Sequence, residues 1–220
     1  MRPIEVAVCA LPVPGLDRGQ STANRMALIE GEERGERAGV DFRRDERALI
    51  RRAQAGSEDA LERLFRHHWP RAHRAAYLVV HDAAAAEDIA QEAFLAAVRS
   101  LDRFDRRRPF GPWLHRIVVN RAIDWARARA LRAEVATEGE PAAATRVMAT
   151  AGGAKPYSDE TLAALAALSP EHRAVVVLRY VLEFTPREIA AALGIPRGTV
   201  NSRLRRALDR LSGELEEMRT

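Results

Sequence analysis

Thr185-Pro-Arg-Glu-Ile-Ala-Ala-Ala-Leu-Gly-Ile-Pro-Arg-Gly-Thr-Val-Asn-Ser-Arg-Leu-Arg-Arg-Ala207 is the stretch of this chain that decides its architecture. Thr185 and Glu188 stand in capping-box register, where hydroxyl and carboxylate each satisfy an orphan helix amide. Ile189, Ala190 and Leu193 give that helix an apolar side, and Gly194 ends it. After a turn through Ile195-Pro196, the residues Val200, Leu204, Leu208 and Leu211 recur at helical steps. A short capped helix, a glycine turn and a longer arginine-studded helix form the helix-turn-helix pattern. Ala190 is small where the two helices approach, and Ile195 and Val200 plug the corner. With the leucine stripe turned inward, Asn201, Ser202, Arg203, Arg205 and Arg206 face outward, where such a helix reads base edges and phosphates in a major groove. The same residues would also suit a helical hairpin with a solvated arginine face.

Upstream, Leu162, Leu165 and Leu168 close one helix before Ser169-Pro170-Glu171, an N-cap with proline in the first helical position. Val175, Val176, Leu178 and Val181 pack the next. Residues 159–217 thus form a small helical unit. Residues 132–158, rich in Ala, Gly, Thr and Glu with Pro141, Gly152-Gly153 and Pro156, read as a linker.

Residues 45–131 form a second dense helical zone. Ala48, Leu49 and Ile50 lead a helix that stops at Gly56, and Ser57 caps the next. Leu61, Leu64, Phe65, Ala72, Ala76 and Leu78 carry that helix to His81-Asp82, with a kink or break expected at Pro70. Ala83 to Arg103 repeats the pattern through Ile89, Ala93, Ala97 and Leu101, with Phe94 and Val98 on its flank. A loop from Phe104 to Pro112 follows. Beyond it Leu114, Ile117, Val118, Ala122 and Trp125 share one stripe, and Arg116, Asn120, Asp124 and Arg127 another. The fold class is therefore all-α: two small helical domains joined by a flexible linker. Residues 1–44 lack sustained apolar periodicity and read as a disordered tail. Met26 lies inside it, and the helical patterning starts only near Asp45, so translation is expected to begin at Met26.

The 220 residues carry a net charge of only +4, and Lys155 is the sole lysine beside the arginines. Permanently charged guanidinium forks suit phosphate and base edges. Taken by segment, the small total conceals three blocks. Residues 82–102 set Asp82, Glu87, Asp88, Glu92 and Asp102 against Arg99, a balance of −4. Residues 103–132 hold nine arginines against Asp105 and Asp124, a balance of +7, and residues 197–212 reach +4. One acidic and two basic blocks point to partners of opposite charge, unless each is simply a solvated helix face.

Other classes fall away. Cys9 is the only cysteine, which excludes an internal disulfide and fits a reducing cytoplasm. No apolar run approaches the ~20 residues of a membrane helix. No Gly-rich phosphate loop, HExxH or GxSxG is present. His67, His68, His73 and His81 are the material for a metal enzyme, but their spacing puts no clean pair on one helix face and no carboxylate completes a site. No cofactor is called for.

Glu188 to Ala207, with the lead-in Leu168-Ser-Pro-Glu-His-Arg and Leu178-Arg-Tyr, resembles the C-terminal domain of bacterial extracytoplasmic-function (ECF) sigma factors of the sigma-70 family. Independently, Ala86-Glu-Asp-Ile-Ala-Gln-Glu-Ala-Phe-Leu95, Trp113-Leu-His-Arg-Ile-Val-Val-Asn120 and Ala122-Ile-Asp-Trp-Ala-Arg127 resemble the N-terminal sigma domain, region 2. The resemblance implies a non-enzymatic protein that binds core RNA polymerase, directs it to promoter DNA and assists melting. It implies a polymerase-docking face at Glu87, Asp88, Gln91, Glu92 and Leu95. It implies capture of the unpaired minus-ten strand by Phe104, Arg106, Arg107, Arg108 and Phe110 in the loop and by Arg116, Asn120 and Arg127 on the helix after it. Phe104 or Phe110 would stack on a base, whereas Trp113 fits core packing better than a melting wedge. Arg197, Thr199, Asn201, Ser202, Arg203, Arg205 and Arg206 would read the minus-thirty-five element. Three consecutive arginines make the loop more basic than usual, and Asn201 and Arg205 depart from common versions, so base preference is not carried over. An anti-sigma factor is a further partner the family allows, and membrane insertion is not expected. The main rival is a helix-turn-helix regulator with an N-terminal sensory bundle.

Overall fold

The computed structural model describes residues 45–136 and 157–217, and every regular element among them is helical. The tail, Met26 and residues 137–156 of the linker lie outside the described residues. In chain order the helices are α1 (45–54), α2 (Glu58–Val80), α3 (Ala83–Ser100), a 3-10 turn (Leu101–Arg103), α4 (Phe110–Ala136), α5 (Asp159–Ala166), α6 (Pro170–Val176), a π turn (Val177–Val181), α7 (Pro186–Leu193) and α8 (Arg197–Glu217).

Helix starts follow the capping chemistry of the sequence. Ser57 accepts from the Ala60 amide, Asp82 from Ala85, Ser158 from Thr161 and Ser169 from His172. Gly56, in the left-handed region at φ +88°, turns the chain between α1 and α2. In the first unit α2, α3 and α4 pack on one another. Ala60, Ala72, Ala75 and Ala76 of α2 and Ala86, Ala90 and Ala93 of α3 are fully buried. Such small side chains let helix axes come close, and this suits a chain with few aromatics. Leu78, Leu114, Val118 and Val119 fill the space that remains.

Of the kink or break expected at Pro70, the break does not occur: helix α2 continues through the proline. Its buried residues Leu64, His68, Ala72, Ala75 and Val79 form one continuous face across the proline. Packing along the whole face outweighs the roughly 3 kcal/mol that an interior proline costs. Two boundaries also differ. Helix α4 starts at Phe110, so the loop is shorter, and it continues to Ala136, into the stretch read as linker. Before α5, Tyr157 is buried in the core.

The second unit is built around α8, against which α5, α6 and α7 all pack. The capping box is complete: Glu188 accepts from the Thr185 amide at 2.8 Å, and Thr185 accepts from the Glu188 amide at 3.3 Å. The hydrogen bonds donated to its carboxylate, from the Thr185 amide first and from the Thr185 hydroxyl at 2.7 Å second, hold the Glu188 carboxyl below its usual range. Gly194 caps α7 at φ +65°. Val200 is fully buried at the corner and Ile195 partly so. The helix expected through Val181 instead widens into the π turn, after which Glu183 takes a left-handed φ of +61°.

The two units touch. Helix α6 packs on α2 and α4, the π turn on α2, and α7 on α4. At the centre Arg173, only 9% exposed, sends its guanidinium to the carbonyls of Val79, Ala166 and Leu168. Burial lowers its pKa to about 10, so it stays charged at neutral pH. These carbonyls lie at the C-terminal ends of α2 and α5, where orphan acceptors and the helix dipole both favour a cation.

Candidate polymerase and nucleic-acid interface

Helix α3 divides cleanly into two faces. Ile89, Ala90, Ala93 and Phe94 are buried against the bundle, and Glu87, Asp88, Gln91, Glu92 and Leu95 all lie on the exposed side. Gln91 donates to Glu87 at 3.2 Å one turn away, and Glu92 pairs with Arg121 of α4 at 2.8 Å. Beside the acids runs an apolar groove lined by Leu61, Phe65, Phe94, Val98 and Leu101. Leu95 is 56% exposed, Val98 48% and Phe65 38%, an unusual concentration of large apolar surface on a small bundle. Sequence periodicity gave no sign that Val98 and Phe65 would stay open, because both sit at the edge of the apolar stripe.

The arginine loop is a compact turn. Asp105 accepts from the amide of Arg107 through its carboxylate at 3.0 Å, and from that of Arg108 through its carbonyl at 2.9 Å. Arg106, Arg107 and Arg108 are exposed around it. On the inner side Phe104 and Phe110 are 7% and 4% exposed, and their rings pack on Trp113 with centroids 4.7 and 5.4 Å away. Trp113 therefore has the core-packing place expected of it. The two phenylalanines present no open ring face for a base, because they form the hydrophobic footing of the loop. Gln54 of α1, which the sequence did not mark, donates to the carbonyls of Leu101 and Phe104 and fixes the loop's entry.

Along α4, Arg116 is exposed and Asn120 half-buried, with the Asn120 amide donating to the Ala192 carbonyl of α7 at 3.1 Å. Arg127 donates to Glu171 at 2.7 Å. Burial, the largest single influence, would raise the Glu171 pKa, but the hydrogen bond from Arg127, that from the Glu171 amide and the charges of Arg127 and Arg203 together outweigh it, and the carboxyl sits low. On α8, Arg197, Asn201, Arg205 and Arg206 are exposed, whereas Thr199, Ser202 and Arg203 are half-buried. The Ser202 hydroxyl bonds back to the Thr199 carbonyl at 3.0 Å.

Among the described residues the histidines are not arranged around a metal, and they differ in exposure: His67 is exposed and His73 half-buried. His68 is buried and bonded to Glu46 at 2.9 Å; His115 is buried beside it, with Gly111 leaving room for both rings. His81 is the left-handed C-cap of α2. Burial, assisted by Arg173, lowers the His81 pKa to about 3. Burial, assisted by His68 and Arg71, does the same for His115. Among the described residues no cluster of three or more His, Cys, Asp or Glu side chains has metal-holding geometry, and no helix is long and apolar enough to cross a membrane.

Comparison with known proteins agrees with this geometry. Residues 64–132 match Sigma-70 region 2, and residues 158–211 match Sigma-70 region 4. The chain is 33% identical over 182 residues to the ECF RNA polymerase sigma factor SigW of Bacillus subtilis, covering 77% of this chain and 96% of the relative. It is 36% identical over 181 residues to the RNA polymerase sigma factor CarQ of Myxococcus xanthus, covering 76% and 97%. Among solved structures, CnrH in complex with the cytosolic domain of CnrY aligns at TM-score 0.57 with 30% identity, over 78% of this chain and 97% of that one. The sigma factor RpoE of Bartonella quintana, in complex with the anti-sigma factor NepR, shares the fold at TM-score 0.58 and 23% identity over 70% and 96%. With both sigma regions present in order on an all-helical frame, the chain belongs to the ECF RNA polymerase sigma factors of the sigma-70 family, which direct promoter-specific transcription initiation.

Proposed function

We propose that this sigma factor divides its work among three surfaces. The α3 face with Glu87, Asp88, Gln91, Glu92 and Leu95 docks on a basic element of core RNA polymerase. The loop arginines Arg106 to Arg108, with Arg116, Asn120 and Arg127 of α4, hold the unpaired minus-ten strand. Arg197, Thr199, Asn201, Ser202, Arg203, Arg205 and Arg206 of α8 read the minus-thirty-five duplex. Phe104 and Phe110 serve by shaping the loop from beneath rather than by stacking.

The observation that carries the reading is the acidic, partly apolar α3 face. A protein that only bound DNA would have little use for an exposed surface of that sign beside an open apolar groove, whereas a protein partner would cover both. Docking of acids at the rim favours fast encounter, and burial of Leu95 supplies desolvated area. The loop supplies cations that track a phosphate backbone, and extruding a base costs a few kcal/mol, which the backbone contacts offset. The protein acts where polymerase and promoters are, in the cytoplasm. An anti-sigma factor is a further partner of this chain, by analogy with RpoE of Bartonella quintana, whose solved structure holds one.

Transcription from purified components tests the reading. Core polymerase plus this protein is expected to give promoter-dependent transcripts from a genomic promoter library. A protein that binds duplex DNA alone but gives no transcript with core polymerase would be a conventional regulator instead.

A further inference from the structure

Helix α1 lies along the arginine loop from one end to the other. At its C-terminal end Gln54 donates to the carbonyls of Leu101 and Phe104, where the loop begins. Near its N-terminal end Glu46 bonds to His68, whose ring packs on Phe110 with centroids 5.2 Å apart and abuts Gly111, where the loop ends. Glu46 also lines one cavity with Pro109 and Gly111. The opposite side of α1 is seated in the core, with Leu49, Ile50 and Ala53 buried. Arg47, Arg51 and Gln54 recur at steps of four and three, and such positions share one stripe of a helix. Gln54 fixes that stripe on the loop's side, and Arg47 and Arg51 are exposed along it. Among the described residues the α1 arginine that pairs with an acid is Arg52, held by Asp59 at 2.9 Å, whereas Arg47 and Arg51 make no ion pair. Of the acids on α1 and the loop, Glu46 is committed to His68 and Asp105 to the Arg107 amide, and Asp45 stands at the start of α1.

We propose that Arg47 and Arg51 extend the strand-binding track past the loop, holding phosphates of the same unpaired DNA strand beyond Arg106 to Arg108. The inference rests on the strand-binding role proposed above for the loop and α4. Cations then stand on both sides of the loop, Arg116 of α4 on one and the α1 pair on the other. A strand pinned on one side alone can re-pair from the other, whereas one held on both stays extended across the loop. The Gln54 bonds join α1 to the loop, so the two sets of cations keep their spacing. Arg47 and Arg51 are one turn apart, about 6 Å along the axis. No aromatic residue lies on α1, so this part of the track acts through charge rather than stacking, and it carries no base preference. The occupant is a single strand and not a duplex because the surface continues the one that holds the melted element.

The test uses the full chain in complex with core RNA polymerase, on a promoter that the transcription assay yields. In a Cys9→Ser background a photocrosslinker is attached at Arg51→Cys in one sample and at Arg106→Cys in another. Both are expected to crosslink to the same strand of the open complex, at different nucleotides. Crosslinking from Arg106→Cys with none from Arg51→Cys overturns the extension and leaves the loop's role standing. No strand crosslink from either overturns the strand-binding reading, and the extension with it. Function is read as the lifetime of open complexes challenged with a competitor. Arg47→Ala with Arg51→Ala should shorten that lifetime about tenfold. The slope of its logarithm against log salt should flatten by about 1.4, since each single-strand phosphate contact contributes about 0.7. Arg47→Lys with Arg51→Lys keeps both charges and should stay within about twofold of wild type. An alanine pair as long-lived as wild type, a lysine pair as short-lived as the alanine pair, or an alanine pair whose only defect is in binding core polymerase overturns the proposal.

Discussion

The Gln54 side-chain amide donates to the Leu101 carbonyl at 2.8 Å and the Phe104 carbonyl at 3.2 Å, so the first helix holds the hinge of the arginine loop. Both acceptors are partly shielded from water. Gln54→Ala leaves them without that partner and is expected to cost about 1–2 kcal/mol, the usual range for a shielded carbonyl that loses its donor. Urea unfolding reads the stability. Permanganate footprinting of unpaired thymines reads the consequence for melting, which should weaken although no arginine is touched.

Stability should fall as pH drops below 6.5, through two histidines. His81 and His115 have folded pKa values of about 3 against 6.5 for the free side chain, through burial first. Below pH 6.5 the unfolded chain binds protons that the folded chain refuses, so stability present above that pH is lost as pH falls toward 3. At pH 5 the loss is about 1–2 kcal/mol for each histidine. His81→Asn keeps a residue that tolerates the left-handed backbone, and His115→Gln removes the second titration. Thermal melts from pH 7 to 5 should show a shallower decline in the double variant.

Asp88→Arg should lower affinity for core polymerase by about tenfold or more, since it places a cation where a basic partner docks. Asp88 is exposed, so folding stability should change by less than about 0.5 kcal/mol. Unchanged affinity for core would remove the α3 face from the docking surface.

Arg206→Ala separates base reading from phosphate contact. Loss of a base contact costs about 1–3 kcal/mol and relaxes discrimination at one promoter position. A loss that is uniform across promoter sequences, with a smaller salt dependence, assigns Arg206 to the backbone instead.

The helix-turn-helix was the most legible part of the chain. Thr185, Glu188 and Gly194 act through neighbours three or four residues away, and each makes the bond its spacing announced. The helices of the first unit were legible for the same reason, through Ser57 and the apolar steps of α3. Reading failed where a residue's role depends on distant chain. Arg173 looks like one more surface arginine, yet its partner carbonyl at Val79 lies 94 residues away. Phe104 and Phe110 looked available to a base because loop position implies exposure, but three aromatic rings sharing one corner bury one another. Pro70 carries a local penalty that packing of α2 against α3 and α4 overrides. Gln54 had no local signal, since its acceptors lie 47 and 50 residues away along the chain.

Helix α4 has one more consequence. Arg116, Asn120 and Arg127 ride on one unbroken helix from Phe110 to Ala136. An α-helix turns about 100° and rises about 1.5 Å per residue. Lengthening the chain by one residue between Arg116 and Asn120 would swing everything downstream to a different side of the rod. Descendants of this sequence can therefore exchange side chains on α4 one at a time, but gains and losses of length are confined to the Asp105–Pro109 turn that precedes it.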